Sequence, residues 1–157
     1  MARVPDDPSK VSGPFQVEVR RSSDLSVALS PGELRAVGPD ELRPVRDPRT
    51  SRESKNKTGL WFSPRMRRHV QYESLLERNR MLLFDFDPET KCYLEQPVKL
   101  KFRVETKERI HVPDLLVWRT SGPMVLCNVK PKDRLGEKSF PAQSQAAALF
   151  CQEEGIE

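Results

Sequence analysis

The run from Val112 to Lys130 constrains this chain more than any other stretch. It reads Val-Pro-Asp-Leu-Leu-Val-Trp, passes a Ser121-Gly122-Pro123 turn, and continues Met-Val-Leu-Cys-Asn-Val-Lys. Two apolar strands joined by a Gly-Pro turn form a hairpin. That geometry sets Asp114 near the start of one strand and Lys130 near the end of the next, where they meet across the ladder. Upstream, Ser74-Leu75-Leu76-Glu77 opens a helix expected from about Tyr72 to Phe86. Leu75, Leu82 and Phe86, with Leu76 and Leu83, recur at helical spacing, and Asp87-Pro88 ends the run. One acid from a helix, one from a strand and a lysine from the next strand therefore converge. Hydrolysing a phosphodiester needs an activated water, neutralised charge and a stabilised leaving oxygen, and Mg²⁺ held by carboxylates serves all three.

The surrounding pattern predicts a small α/β domain. Order is expected to start near Gly59-Leu60-Trp61-Phe62 and to continue through His69-Val70. After the helix come strands at Lys91–Gln96, Val98–Val104, Ile110–Trp118 and Met124–Lys130, the second with apolar residues on alternate positions. A last helix, about Ser139–Glu154, is expected to bury Ala147, Ala148 and Phe150, with Gly155 as its C-cap. Helix, meander, helix implies a small mixed sheet flanked by helices. The chain stops at Ile156-Glu157, where a further strand is expected, so the domain reads as cut short.

Residues 1–58 are rich in Pro, Ser, Arg and Asp, and ordering them costs entropy that little apolar surface offsets. They read as a mobile basic arm, with a short strand at Phe15–Val19 and a weak helix start at Ser30–Glu33. Between Arg43 and Arg68 nine Lys or Arg face Asp47 and Glu53, whereas residues 71–157 are near neutral. Such a segment can bind phosphates through counterion release, and it serves equally as a solubilising tail. On the first reading, deleting the arm flattens the salt dependence of DNA binding and leaves the fold intact. Cys92, Cys127 and Cys151 lack zinc spacing and read as reduced thiols of a cytoplasmic protein. No apolar run has the length of a membrane span.

The spacing from Asp114 to Asn128-Val129-Lys130 is that of the PD-(D/E)xK pattern, with Asn128 where an acid is usual. Asp114 is the strongest ligand candidate, Asn128 offers a neutral carbonyl, and the Val129 backbone carbonyl completes the set. Lys130 is placed to orient a water or to meet the oxyanion. Glu77 and Glu73 lie four residues apart on one helix face, and either can reach the site. The competing reading for both is an exposed acid favoured by the helix macrodipole. Arg65, Arg67 and Arg68, together with Lys132, Arg134 and Lys138, are candidate DNA contacts or ordinary surface charge. His69 and His111 lack partners at metal spacing and read as structural or exposed.

The combination His69-Val-Gln-Tyr-Glu-Ser-Leu-Leu-Glu-Arg78, Leu82-Leu-Phe-Asp-Phe-Asp-Pro88, Glu95-Gln-Pro97, Val112-Pro-Asp114 and Asn128-Val-Lys-Pro131 resembles the N-terminal catalytic domain of TnsA, the endonuclease subunit of heteromeric transposases. The resemblance covers about residues 60–157. It implies a restriction-endonuclease-like fold in which Glu77 is the helix acid, Asp114 the central metal ligand and Lys130 the catalytic lysine. Such a subunit uses Mg²⁺ to cut the 5′ (non-transferred) strands of double-stranded DNA at transposon ends. Its partners are the integrase-fold transposase TnsB and, through a C-terminal domain not seen in this sequence, the ATPase regulator TnsC. The family tolerates an amide at the position of Asn128. Two rival readings are a non-catalytic DNA-binding or assembly module that keeps the nuclease fold, and an unrelated nuclease of phage defence or repair.

Overall fold

The computed structural model describes residues 6–47 and 57–157. In chain order it contains β1 (Val11–Arg21), β2 (Ser26–Leu29), β3 (Leu42–Arg43), β4 (Gly59–Ser63), β5 (Arg68–Tyr72), α1 (Leu75–Phe86), β6 (Thr90–Glu95), β7 (Lys99–Val104), β8 (Lys107–His111), β9 (Leu115–Arg119), β10 (Val125–Cys127) and α2 (Phe140–Glu154). The expected α/β fold with a small sheet between helices is what these residues form.

The central element is the three-stranded sheet β10-β9-β6. Side chains alternate across it, as the two-residue period of a strand requires. Tyr93, Leu115 and Val117 pack with Val70 and Met81 on the α1 side. Leu94, Leu116 and Trp118 join Ala142, Ala146 and Phe150 of α2 in the larger core. Both faces of β9 are covered, which is why its sequence is apolar at successive positions. The Val112–Lys130 hairpin forms as expected, with Val125 opposite Val117 and Cys127 opposite Leu115.

The larger sheet runs β2-β1-β7-β8, with β3 also on β1. Its existence corrects the reading of residues 1–58 as a mobile arm for the part that carries β1, β2 and β3. The short strand expected at Phe15–Val19 extends over Val11–Arg21 and pairs with β7, some eighty residues later. Val17, Val19, Leu34, Val37 and Leu42 enter the main core. Few apolar residues are needed here because each is almost wholly enclosed. Composition averaged along the segment cannot show a partner strand so distant in sequence. Residues 1–5 and 48–56, the latter carrying Arg49, Arg52 and Lys55 of the basic run, lie outside the described residues.

A second correction concerns the face of α1. Ser74 caps the helix by accepting the Glu77 N–H, and Asp87, before Pro88, closes it. Yet the periodic leucines point outward: Leu83 is 61% and Phe86 78% exposed, while Met81 and Glu77 are buried. Polar anchors set this rotation. Asp85 accepts the Trp61 indole N–H (2.8 Å), the Ser63 hydroxyl (2.5 Å) and the Tyr93 hydroxyl (3.1 Å). Turning the helix to bury its leucines would strand that carboxylate. In α2, Ala147 and Phe150 are buried as expected but Ala148 is exposed, Ala142 and Ala146 taking its place. Gly155, at φ 65°, ends the helix in the left-handed region.

Past α2, the Glu157 N–H donates to Met124 O (2.9 Å) and the Leu126 N–H to Glu157 O (2.7 Å). These two hydrogen bonds fasten Glu157 to the outer edge of β10 in the parallel sense. Since Val17, Val19, Leu34, Val37 and Leu42 are core, Leu34→Ala should cost about 3 kcal/mol in urea unfolding. Deleting residues 1–47 should abolish the cooperative transition.

Candidate active site

Asp114 sits where β8 hands over to β9, and its backbone is tied on both sides. Its N–H donates to Cys127 O of β10 (3.0 Å), and its C=O accepts the Gln96 N–H just past β6 (2.8 Å). The carboxylate is then held by the Val129 N–H, 2.5 Å from Oδ2. The tripeptide Asn128-Val129-Lys130 is thus registered against Asp114 by the hairpin itself.

Glu77 arrives from the first turn of α1. Oε2 accepts the Glu73 N–H (2.9 Å) and Oε1 accepts the Ser74 hydroxyl (2.9 Å), an arrangement close to a capping box. It is not the exposed helix acid of the competing reading, because only 8% of the residue is accessible. Glu73, Glu77, Asp114, Asn128, Val129 and Lys130 line one cleft of ≈ 240 Å³, so the three side chains expected to converge share it. Arg46, His111, Arg134 and Gln143 complete much of its wall.

Burial dominates the electrostatics. Asp114 is pushed up from its ordinary 3.8 to about 7, first by desolvation and then by the charges of Glu77 and Glu73; the Val129 N–H and Lys130 oppose the shift. Glu77 is also raised by burial, against the hydrogen bonds from Glu73 and Ser74. One oxygen of Glu73, Oε1, is buried with no hydrogen-bond partner, while Oε2 lies 3.5 Å from Arg46. Acids raised by burial and by one another, beside an orphaned carboxylate oxygen, suit a hard cation. Mg²⁺ needs only one or two protein carboxylates plus waters and phosphate oxygens. No group of three or more His, Cys, Asp or Glu side chains among the described residues is arranged to hold a metal alone.

The Lys130 ammonium lies 3.2 Å from Glu137 and 5.7 Å from the Phe140 ring centre. His111, expected to be structural or exposed, faces the cleft and contacts Asn128 Oδ1 through Nε2 at 2.7 Å. With Oδ1 as acceptor, Nε2 carries the hydrogen. Burial lowers the His111 pKa, so the ring is neutral near pH 7. Its one sequence signal is its place just before Val112-Pro113-Asp114; metal-ligand spacing does not find it. His69 is exposed and packs edge-on against Phe62.

The candidate DNA contacts divide. Arg65 is not available as one: its guanidinium donates to the carbonyls of Phe84, Asp85, Asp87 and Thr90 at 2.6–3.2 Å, closing the C-terminal end of α1. A helix end presents bare carbonyls and a negative dipole, and a planar cation satisfies both. Arg68 makes a paired contact with Glu95 at 2.9 and 2.7 Å and serves the fold in the same way. Arg67 is exposed in the β4–β5 turn at φ 53°. Lys132 and Arg134 are exposed on a short 3₁₀ turn at the cleft rim, and Lys138 is exposed ahead of α2.

Residues 87–157 match the family model of the TnsA-like endonuclease N-terminal domain. The match includes Asp114, Asn128, Val129 and Lys130, whereas α1 with Glu77 precedes it. A comparison with curated proteins finds no match.

The Asp114 shift makes a signed prediction for the metal-free protein. Folding raises its pKa, so the protonated form is favoured. The associated stability is full below pH 3.8 and is lost as pH rises through about 7. Asp114→Asn cannot ionise, and in urea unfolding it should be more stable than the parent at about pH 8 and similar to it at about pH 4.

Proposed function

We propose, from the match of residues 87–157 to the TnsA-like endonuclease N-terminal domain, that the chain is a Mg²⁺-dependent DNA endonuclease subunit of a heteromeric transposase, cutting the 5′ (non-transferred) strands at transposon ends. The observation that carries this reading is the placement of Glu77, Asp114 and Lys130 on one cleft, with Glu77 buried, Asp114 half-buried and both acids raised in pKa.

Glu77 and Asp114, with the Asn128 side-chain oxygen and the Val129 carbonyl, would hold the cation. When bound, it supplies Lewis-acid polarisation of the phosphate and a more acidic water. Asp114 must act as the carboxylate, so the proton that burial favours has to leave first. Lys130, one residue past the N–H that holds Asp114, brings a positive charge to the water or to a non-bridging oxygen, leaving Glu137 to do so. The His111 hydrogen bond fixes the Asn128 amide plane, as outer partners commonly orient a ligand. Lys132, Arg134, Lys138 and Arg67 are left to meet the DNA backbone. The partners on this reading are double-stranded DNA, the transposase TnsB and the ATPase regulator TnsC, in the cytoplasm; no helix among the described residues is long and apolar enough to cross a membrane.

The second reading is a non-catalytic assembly module. It is favoured by Asn128 standing in place of an acid and by the Lys130–Glu137 pair. Nicking of transposon-end DNA, assayed with the partner transposase in Mg²⁺ and Mn²⁺, separates the two. Asp114→Ala and Lys130→Ala should each lower the cleavage rate by at least ~10²-fold while DNA binding and the thermal midpoint are largely kept. DNA or transposase binding without metal-dependent nicking by the parent chain would establish the assembly module instead. Metal binding has its own readout: Mg²⁺ should raise the thermal midpoint at about pH 8, by linkage, and Asp114→Ala should remove the rise.

A further inference from the structure

The cleft has a wall that comes from outside the matched domain. The segment after β3 leaves the core at buried Leu42 and crosses the end of β6, where the Val45 N–H donates to Gln96 O (2.9 Å). Gln96 is itself buried and held at φ 45°, in the left-handed region, between β6 and Pro97. From there its own N–H donates to Asp114 O (2.8 Å). Backbone hydrogen bonds therefore run Val45 to Gln96 to Asp114, and the residue after Val45 is registered against the central acid through rigid main chain. That residue is Arg46.

Its side chain is 31% exposed and lines the cleft with Glu73, Glu77, Asp114 and Lys130. Nη1 lies 3.5 Å from Glu73 Oε2, near enough for ion pairing but longer than a charge-assisted hydrogen bond. Among the described residues, the other two cations lining this cleft, Lys130 and Arg134, both lean on Glu137 at 3.2 and 3.7 Å. Arg46 is thus the cation of the described cleft wall that pairs with Glu73, while Lys130 is the one whose charge reaches Glu77 and Asp114. A guanidinium there matches the paired oxygens of a phosphate diester in both shape and charge.

Resting on the nuclease reading above, we infer that Arg46 grips the phosphate being cut, with Glu73 holding the guanidinium in place until DNA arrives. The N-terminal segment, on this account, completes the active site as well as the sheet. The bland alternative is that Arg46 only neutralises Glu73.

The test uses the full chain carrying Arg46→Ala or Arg46→Lys, with duplex transposon-end DNA, the partner transposase and Mg²⁺ or Mn²⁺ for cleavage, and the same duplex alone for binding. Arg46→Ala should reduce the slope of log affinity against log salt by about 0.9, the value of one phosphate contact. It should also lower the cleavage rate at saturating DNA roughly a hundredfold. Arg46→Lys should restore the slope but not the rate, because an ammonium cannot make the paired contact. A full slope and full rate in Arg46→Ala would overturn the inference and leave the nuclease reading standing, since cleavage persists. A lost slope with an unchanged rate would also overturn it, placing Arg46 on some other phosphate. If both variants lose slope and rate together with the thermal midpoint, Arg46 is structural and the inference fails. If the parent chain shows no cleavage while the slope still falls in Arg46→Ala alone, the nuclease reading fails and the phosphate contact survives.

Discussion

The site rests on the way Asp114 is tied into three strands' worth of backbone. Its N–H reaches β10, its C=O receives a hydrogen bond from the end of β6, and its carboxylate takes the Val129 N–H. Each of these links is a group that would otherwise be buried unpaired, so moving the acid would strand several partners at once. The same enclosure raises the pKa of the acid. Rigidity of placement and reluctance to ionise therefore have one cause. A cation that compensates the second property would leave the first untouched, which is the condition for a preorganised site.

Glu77 reaches the cleft because polar contacts choose the rotation of α1. Asp85 is fastened to Trp61, Ser63 and Tyr93, and Arg65 closes the helix end on four carbonyls. Met81 then faces the sheet and Glu77 the cleft, at the cost of an exposed apolar strip including Leu83 and Phe86. A helix buried by hydrophobicity alone would turn the other way. The β4–β5 hairpin, which supplies Trp61, Ser63 and Arg65, thus positions the site without contributing a side chain to its chemistry.

The N-terminal segment is the other support. β1 pairs with β7 and β2, and Val45 ties the following turn to Gln96, so the segment stiffens the strand ends from which Asp114 emerges. Positive charge was legible along residues 43–68, but the molecule sorts it into different uses. Arg65 and Arg68 serve the fold, Arg46 faces the cleft, and Arg67 stays exposed. Charge counts carry no information about which carbonyls or carboxylates a given cation will meet.

What the sequence determined by itself was local. The turn at Ser121-Gly122-Pro123 and the two apolar strands beside it dictated the hairpin, and with it the approach of Asp114 to Asn128-Val129-Lys130; Ser74 and Pro88 dictated where α1 starts and stops. These features depend on neighbours within a hairpin or a helical turn. Only the tertiary structure decided that Val17, Val19, Leu34, Val37 and Leu42 enter the core, that α1 buries Glu77 rather than its leucines, and that His111 and Arg46 join the cleft. Each of those outcomes depends on partners distant along the chain: β7 for β1, Trp61 and Tyr93 for Asp85, Gln96 for Val45. Periodicity and composition register what a residue prefers, whereas burial and hydrogen bonding across such separations are set by which surfaces the folded chain brings together.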